Sequence, residues 1–232
     1  MHTRANELKL GRTRQLLADA ADKHAPAVFT SSFGAEDMVL MDLIARDFRG
    51  IEIATLDTGR LPQETYELIE RAAAHYHCKV KVYFPRHDAV ERYVGVNGLN
   101  GFYHGVAQRK SCCEVRKVEP LARALAGRRA WVTGLRREQS VTRLQLEAVA
   151  LDADRGLYKF SPLADWSDDD VWAYIRTRKV PYNVLHDRGY PSIGCAPCTR
   201  AVAPGEDLRA GRWWWEAPGN KECGLHPRKE AA

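Results

Sequence analysis

The 232-residue sequence contains no run of roughly eighteen apolar residues, which argues against a transmembrane helix. Its opening stretch, MHTRANELKLGRTRQLL, lacks the apolar core of a secretory signal. These two absences make a cytoplasmic protein with reduced thiols the expectation. There is no helix-turn-helix signature, no aromatic RNA-binding motif and no zinc-finger spacing, so neither nucleic acid nor membrane is an expected partner. Internal repeats and low-complexity tracts are also missing. Charge of one sign is not in great excess. The net +5 suits an anionic small substrate, and equally a merely solvated basic surface.

What is present is ordinary for a soluble globular chain: 45% hydrophobic and 28% charged residues, in a length suited to one α/β domain with a functional tail. Strand-like and helix-like segments alternate. PAVFTSSFG (26–34), IEIATLDTG (51–59), CKVKVYFP (78–85), RRAWVTGLRRE (128–138) and GLYKFSPLA (156–164) read as strands with their following turns. Residues 35–48, 61–77 and 167–179 read as helices, the last with Ser167 as N-cap and Asp170 at the capping-box position. Such alternation predicts a Rossmann-like, doubly wound, mostly parallel α/β sheet over residues 1–180. Ligands of these sheets sit beyond the carboxyl ends of the strands, which brings SSFGAED, LDTG and TGLRRE to one rim. The Gly- and Asn-containing stretch 85–110 reads as a long loop or cover. Residues 181–232 read as a functional tail.

The six cysteines sort unevenly. Cys78 opens a predicted strand and suits the core. Cys112 and Cys113 are adjacent on a charged, helix-like stretch, and vicinal side chains diverge too far to bond easily. Cys195 and Cys198 form a C-x-x-C, which alone fits a redox dithiol, half a zinc site or half an iron–sulfur site. Together the four make a tetrathiolate set. Structural zinc favours two C-x-x-C knuckles, whereas a cubane cluster accepts adjacent ligands at separate corners. Spacing leaves cluster, zinc and no metal all open. On a helix, Arg116 lies four residues beyond Cys112 and Lys117 four beyond Cys113, so each shares a face with a thiol.

The pieces SSFGAEDMVL, LDTGRLPQETY, KSCCEVRKVEPLARAL, WVTGLRREQSVTR, SPLADWSDDDVW, PYNVLHDRGYPSIGCAPCTR, GRWWWE and KECGLH occur in this order between residues 31 and 226. In them the sequence resembles the assimilatory adenylyl-sulfate reductases, the cluster-bearing branch of the PAPS/APS reductase family. The resemblance implies an adenine nucleotide alpha hydrolase-like fold and conversion of adenosine 5′-phosphosulfate to sulfite and AMP, with electrons from thioredoxin or a similar dithiol protein. It implies a [4Fe–4S] cluster on Cys112, Cys113, Cys195 and Cys198, and Cys223 of the ECGLH segment as nucleophile.

The residue chemistry agrees with those roles. A thiolate is the soft nucleophile that sulfonyl transfer needs, and Lys221, His226 and Arg228 near Cys223 in sequence favour its charged form. Ser31, Ser32 and Gly34 lie where a strand meets a helix start, a setting that favours anions, and Asp37 suits ribose hydroxyls. By resemblance, Leu56 and Gly134 offer backbone groups to adenine, and Lys117, Arg143, Arg209 and Arg212 supply cations to the phosphosulfate. Arg200 is a weaker candidate, and Trp213–Trp215 read as packing anchors for the tail. The four cluster ligands favour adenosine 5′-phosphosulfate over its 3′-phosphorylated form. The rivals are a PAPS-using or dual-specificity reductase, an ATP-pyrophosphatase-type tRNA thiolase, whose loop carries paired glycines that SSFGAED lacks, and a non-enzymatic zinc module.

Overall fold

The computed structural model describes residues 4–139 and 143–217. The described residues form a six-stranded sheet, built from β1 (Ala27–Ser31), β2 (Ile51–Leu56), β3 (Val80–Tyr83), β4 (Ala130–Val132), β5 (Val149–Asp152) and β6 (Leu157–Phe160), in the order β3-β2-β1-β4-β6-β5. All pairings are parallel except β5 with β6, so the predicted sheet is present with an antiparallel strand at one edge. The chain winds outward from β1 to β3 and then returns to place β4 on the other side of β1. The carboxyl ends of β1 and β4 therefore flank the switch point where such sheets hold ligands.

Side-chain alternation divides the core between the two faces of the sheet. Ala27, Phe29, Ala130 and Val132 pack on one face, beneath α1 (Arg4–Asp22), α2 (Ala35–Asp47), α3 (Gln63–Tyr76) and α7 (Asp168–Arg178). Val28, Ala54, Trp131 and Leu157 point the other way and meet Leu121 and Leu125 of α6 (Glu119–Leu125). Helix α2 is buried on nearly all sides, as its Met38–Ala45 run of mostly apolar residues requires. Helix α7 begins with the expected capping box: Asp170 N–H donates to Ser167 Oγ at 3.1 Å, and Ser167 N–H to Asp170 Oδ2 at 2.8 Å.

One expectation is corrected. The stretch 85–110 is largely helical: it holds α4 (His87–Asn97), a 3-10 turn (Gly101–Tyr103) and the start of α5 (Val106–Cys113). Gly98 and Gly101 only separate these pieces, and Tyr93 and Phe102 bury themselves against Cys112. After α5 the chain continues through a π-helical turn, Glu114–Val118, into α6. Pro120 explains the turn. In a regular α-helix its ring would press on the carbonyl four residues back, and the widened turn relieves that clash.

Candidate active site

The SSFGAED segment makes a tight corner between β1 and α2. Phe33 sits in the left-handed region at φ 60°, with its ring fully in the core, and its N–H donates to Ser31 Oγ at 3.1 Å. Asp37, one turn into α2, accepts from Ser32 N–H at 2.5 Å, from Ser32 Oγ at 2.7 Å and from the Gly134 backbone. The corner after β1 is thereby tied to the loop after β4. Burial pushes the Asp37 carboxyl up to about 6, against the Ser32 and Gly134 hydrogen bonds that favour its charge. Gly134 is required here, because a Cβ would collide with Asp37 Oδ1. Gly34 caps α2 without a side-chain hydrogen bond, which leaves the helix start open to a ligand.

A second polar knot supports the same rim. Arg136, almost wholly buried, bonds Glu36 at 2.8 Å, Glu138 at 2.9 Å and Asp168 at 3.1 Å, and so joins the β4 loop to the first turns of α2 and α7. In the LDTG turn, Asp57 accepts from Gly59 N–H at 2.7 Å and from Tyr66 Oη at 2.8 Å. Between these corners runs a cleft of about 260 Å³. The predicted residues Ser31, Ser32, Gly34, Asp37, Leu56 and Gly134 all line it, and so do the predicted cations Lys117, Arg143, Arg209 and Arg212. Asp37 lines it with a carboxylate already engaged by Ser32 and Gly134. Arg143 donates to Gln139 Oε1. Arg212 donates to the Ile193 carbonyl at 3.1 Å and to Ser192 Oγ at 3.4 Å, and Gly194 leaves room for its guanidinium where a Cβ would not.

Next to the cleft, Cys112, Cys113, Cys195 and Cys198 line one small cavity, and none of them is in a disulfide. Lys117 and Trp213 wall both spaces. No three His, Cys, Asp or Glu groups among the described residues converge as they would on one metal ion. The four thiols share the walls of that cavity instead. Thr58 Oγ1 lies 3.3 Å from Cys195 Sγ, and Arg116 donates to the Thr58 carbonyl at 2.7 Å while also bonding Cys112. Burial opposes charge on Cys195, but Lys117, Thr58 and Arg212 outweigh it and hold the thiol below its usual range. Burial, aided by Cys195, pushes Cys198 up to about 12. Burial also raises Cys112, against the pull of Arg116. Two indole N–H groups beside this cavity, on Trp213 and Trp215, are buried without a partner.

The segment carrying the C-x-x-C doubles back on itself. Thr199 and Arg212 form an antiparallel bridge, Trp213 N–H donates to the Cys198 carbonyl at 3.1 Å, and Ala196 N–H to the Arg60 carbonyl at 2.8 Å. Arg200 turns away and pairs with Glu206 at 2.8 Å. Trp213 is fully buried and Trp215 packs edge-on to Tyr103 at 4.5 Å, so two of the three tryptophans do anchor this segment, whereas Trp214 is exposed. The sequence reading overlooked Arg109. It is completely buried, grips Glu216 through a two-pronged contact of 2.9 and 2.8 Å, lies 4.7 Å from the Trp213 ring centroid and bonds Cys113. Its position four residues before Cys113 was the available signal. Cys223, Lys221, His226 and Arg228 lie outside the described residues.

Residues 26–201 match the family described as the phosphoadenosine phosphosulfate reductase domain. The chain belongs to this family. A protein named adenosine 5′-phosphosulfate reductase from Allochromatium vinosum is 59% identical over 94% of this chain and 85% of its own length. One of the same name from Burkholderia cepacia is 55% identical over 94% and 87%. Among solved structures, phosphoadenylyl-sulfate reductase from Candida auris, a phosphate complex, superposes with a TM-score of 0.69 at 26% identity, covering 87% of this chain and 98% of that one. Candida glabrata FMN adenylyltransferase in complex with ATP shares the fold at a TM-score of 0.59 and 14% identity, over 97% and 77%. The family domain thus spans the sheet, the four cavity thiols and most of the cleft-lining residues.

Proposed function

We propose that the protein reduces adenosine 5′-phosphosulfate to sulfite and AMP in sulfate assimilation. The observation that carries this reading is the convergence of ten sequence-nominated substrate residues on one cleft, beside four thiols, in a chain 59% identical to a reductase of that name. The nucleotide lies across the switch point, with adenine toward the backbone of Leu56 and Gly134 and the phosphosulfate toward Lys117, Arg209 and Arg212. Planar guanidinium groups suit its oxyanions.

Cys223 thiolate attacks the sulfonyl sulfur. An S–S bond forms, the sulfur–oxygen bond to phosphate breaks, and AMP leaves with the electron pair. A thiolate of a dithiol protein such as thioredoxin then attacks Cys223 Sγ and expels sulfite. Its second thiol resolves the mixed disulfide, so two thiol electrons are consumed per sulfite.

The four cavity thiols fit a [4Fe–4S] cluster. All four line one cavity, which Arg60, Arg109, Arg116 and Lys117 also line, and two unpartnered indole N–H groups adjoin it. When bound, the cluster supplies a fixed anionic centre of thiolate-ligated iron beside the cleft. Lys117, on the wall shared by both spaces, would then be within reach of both the cluster and the phosphosulfate. Anaerobically purified protein is expected to be brown and to produce sulfite from adenosine 5′-phosphosulfate. Cys223→Ser should keep the colour and lose sulfite production. Colourless protein with stoichiometric zinc, or undiminished sulfite from Cys223→Ser, rejects this reading. A higher kcat/KM for the 3′-phosphorylated nucleotide would reassign the substrate.

A further inference from the structure

His186 lies in the cleft wall and is unused by the proposed chemistry. It belongs to a 3-10 turn (Val184–Arg188) packed against α7, and its ring meets the Trp172 indole edge-on at 5.2 Å. Trp172 is itself packed edge-on against Tyr182 at 5.3 Å, so the imidazole plane is fixed. The Tyr190 backbone bonds the ring in a way that favours its charged form. The remaining nitrogen, Nε2, is buried and has no partner. An unpaired buried nitrogen on a residue of the cleft wall calls for a partner that arrives with the ligand.

Its surroundings point to the kind of partner. The apolar wall of the cleft, Leu121 and Trp131, belongs to the opposite face of the sheet. His186 instead opens the segment that runs to Ser192 and Ile193, which Arg212 holds. The charged groups around the ring are Glu36 on α2, Asp168 on α7 and Asp187 on its own turn. Arg136 already pairs with the first two, at 2.8 and 3.1 Å, so they do not suffice to charge the imidazole. Burial prevails and holds the ring below the usual imidazole range. A nearby dianion would reverse that balance.

We propose that His186 Nε2 takes a proton from solvent as the nucleotide's phosphosulfate or phosphate arrives, and donates that N–H to an oxyanion oxygen. This rests on the nucleotide reading of the cleft. His186 is then a substrate-binding residue whose contribution is linked to pH, and ligand affinity weakens with rising pH once the free ring is neutral, by up to about tenfold per pH unit.

The test is calorimetric titration of the anaerobically purified full-length protein. AMP is used with the parent chain, and adenosine 5′-phosphosulfate on a Cys223→Ser background that cannot turn over. Each titration runs in two buffers of different ionisation enthalpy, at several pH values, with and without His186→Gln. The expected result is net proton uptake on binding that falls in His186→Gln, together with a shallower pH dependence of affinity. Equal proton uptake in both chains, with binding intact, overturns the role of His186 alone. Failure of the parent chain to bind either nucleotide overturns the nucleotide reading and this inference together. If His186→Gln does not fold, histidine-selective ¹⁵N spectra of the parent chain decide. An imidazole that gains its Nε2 proton on AMP addition is expected, and a spectrum in which no imidazole changes protonation overturns the proposal.

Discussion

At the scale of single residues, charge burial decides the most consequential contacts. Arg109 and Glu216 are both buried, at 0% and 3% side-chain exposure, and each is acceptable there only because of the other. Arg109→Gln should cost about 3–5 kcal/mol, since it leaves a buried carboxylate without its cation. Arg109→Lys should fall between, keeping charge without the fork. Urea unfolding midpoints with unchanged slopes would check both. Asp37 gives a pH signature of the opposite kind from a salt-bridged carboxylate. Its folded value of about 6 lies above the unfolded one near 3.8, so the native state binds the extra proton. Stability should therefore decline as pH rises from about 4 to about 6 and level off above, a total of ~3 kcal/mol. Asp37→Asn should remove that slope in denaturation curves taken across the range.

At the scale of elements, the π-helical turn sets the phase between the thiols and the cations. Deleting the exposed Glu114 would shift Arg116 and Lys117 by one residue, a rotation of about 100°, relative to Cys112 and Cys113. We expect the deleted chain to fold but to lose nucleotide affinity at least tenfold, measured by AMP titration; parent-like affinity would show the turn to be incidental. The cysteine spacing and the strand-end motifs were readable from sequence because each depends on local residue type: small residues at a corner, Ser167 and Asp170 at a cap. The π turn was not, because its cause is Pro120 acting on a carbonyl one turn earlier. Helices α1 and α4 were missed because their apolar stripes are thin and interrupted by charge. Strand β5 was missed because its pattern of partial burial arises only by pairing with β6. Arg109 escaped because a buried arginine is recognisable only once its distant carboxylate, Glu216, is placed.

At the scale of the whole molecule, the chain divides into a sheet whose helices bury a continuous core and a segment beyond residue 181 with few buried apolar side chains, chiefly Leu185, Cys195 and Trp213. We read that segment as a strap held by polar contacts and the four thiols. If the thiols hold the proposed cluster, its oxidative loss should expose 186–217 to protease while the sheet persists, with cut sites mapped by mass spectrometry and the far-ultraviolet spectrum little changed. Simultaneous collapse of both would contradict the division.

The bridge between Thr199 and Arg212 sets Cys195 and Cys198, two of the four proposed cluster ligands, on the limb opposite the cleft-lining Arg209 and Arg212. If the thiols hold iron and the arginines hold the nucleotide, as proposed, iron retention and nucleotide affinity would be coupled through this bridge. A substitution that loosens either limb would then weaken both, so neither property could be tuned alone within 195–212.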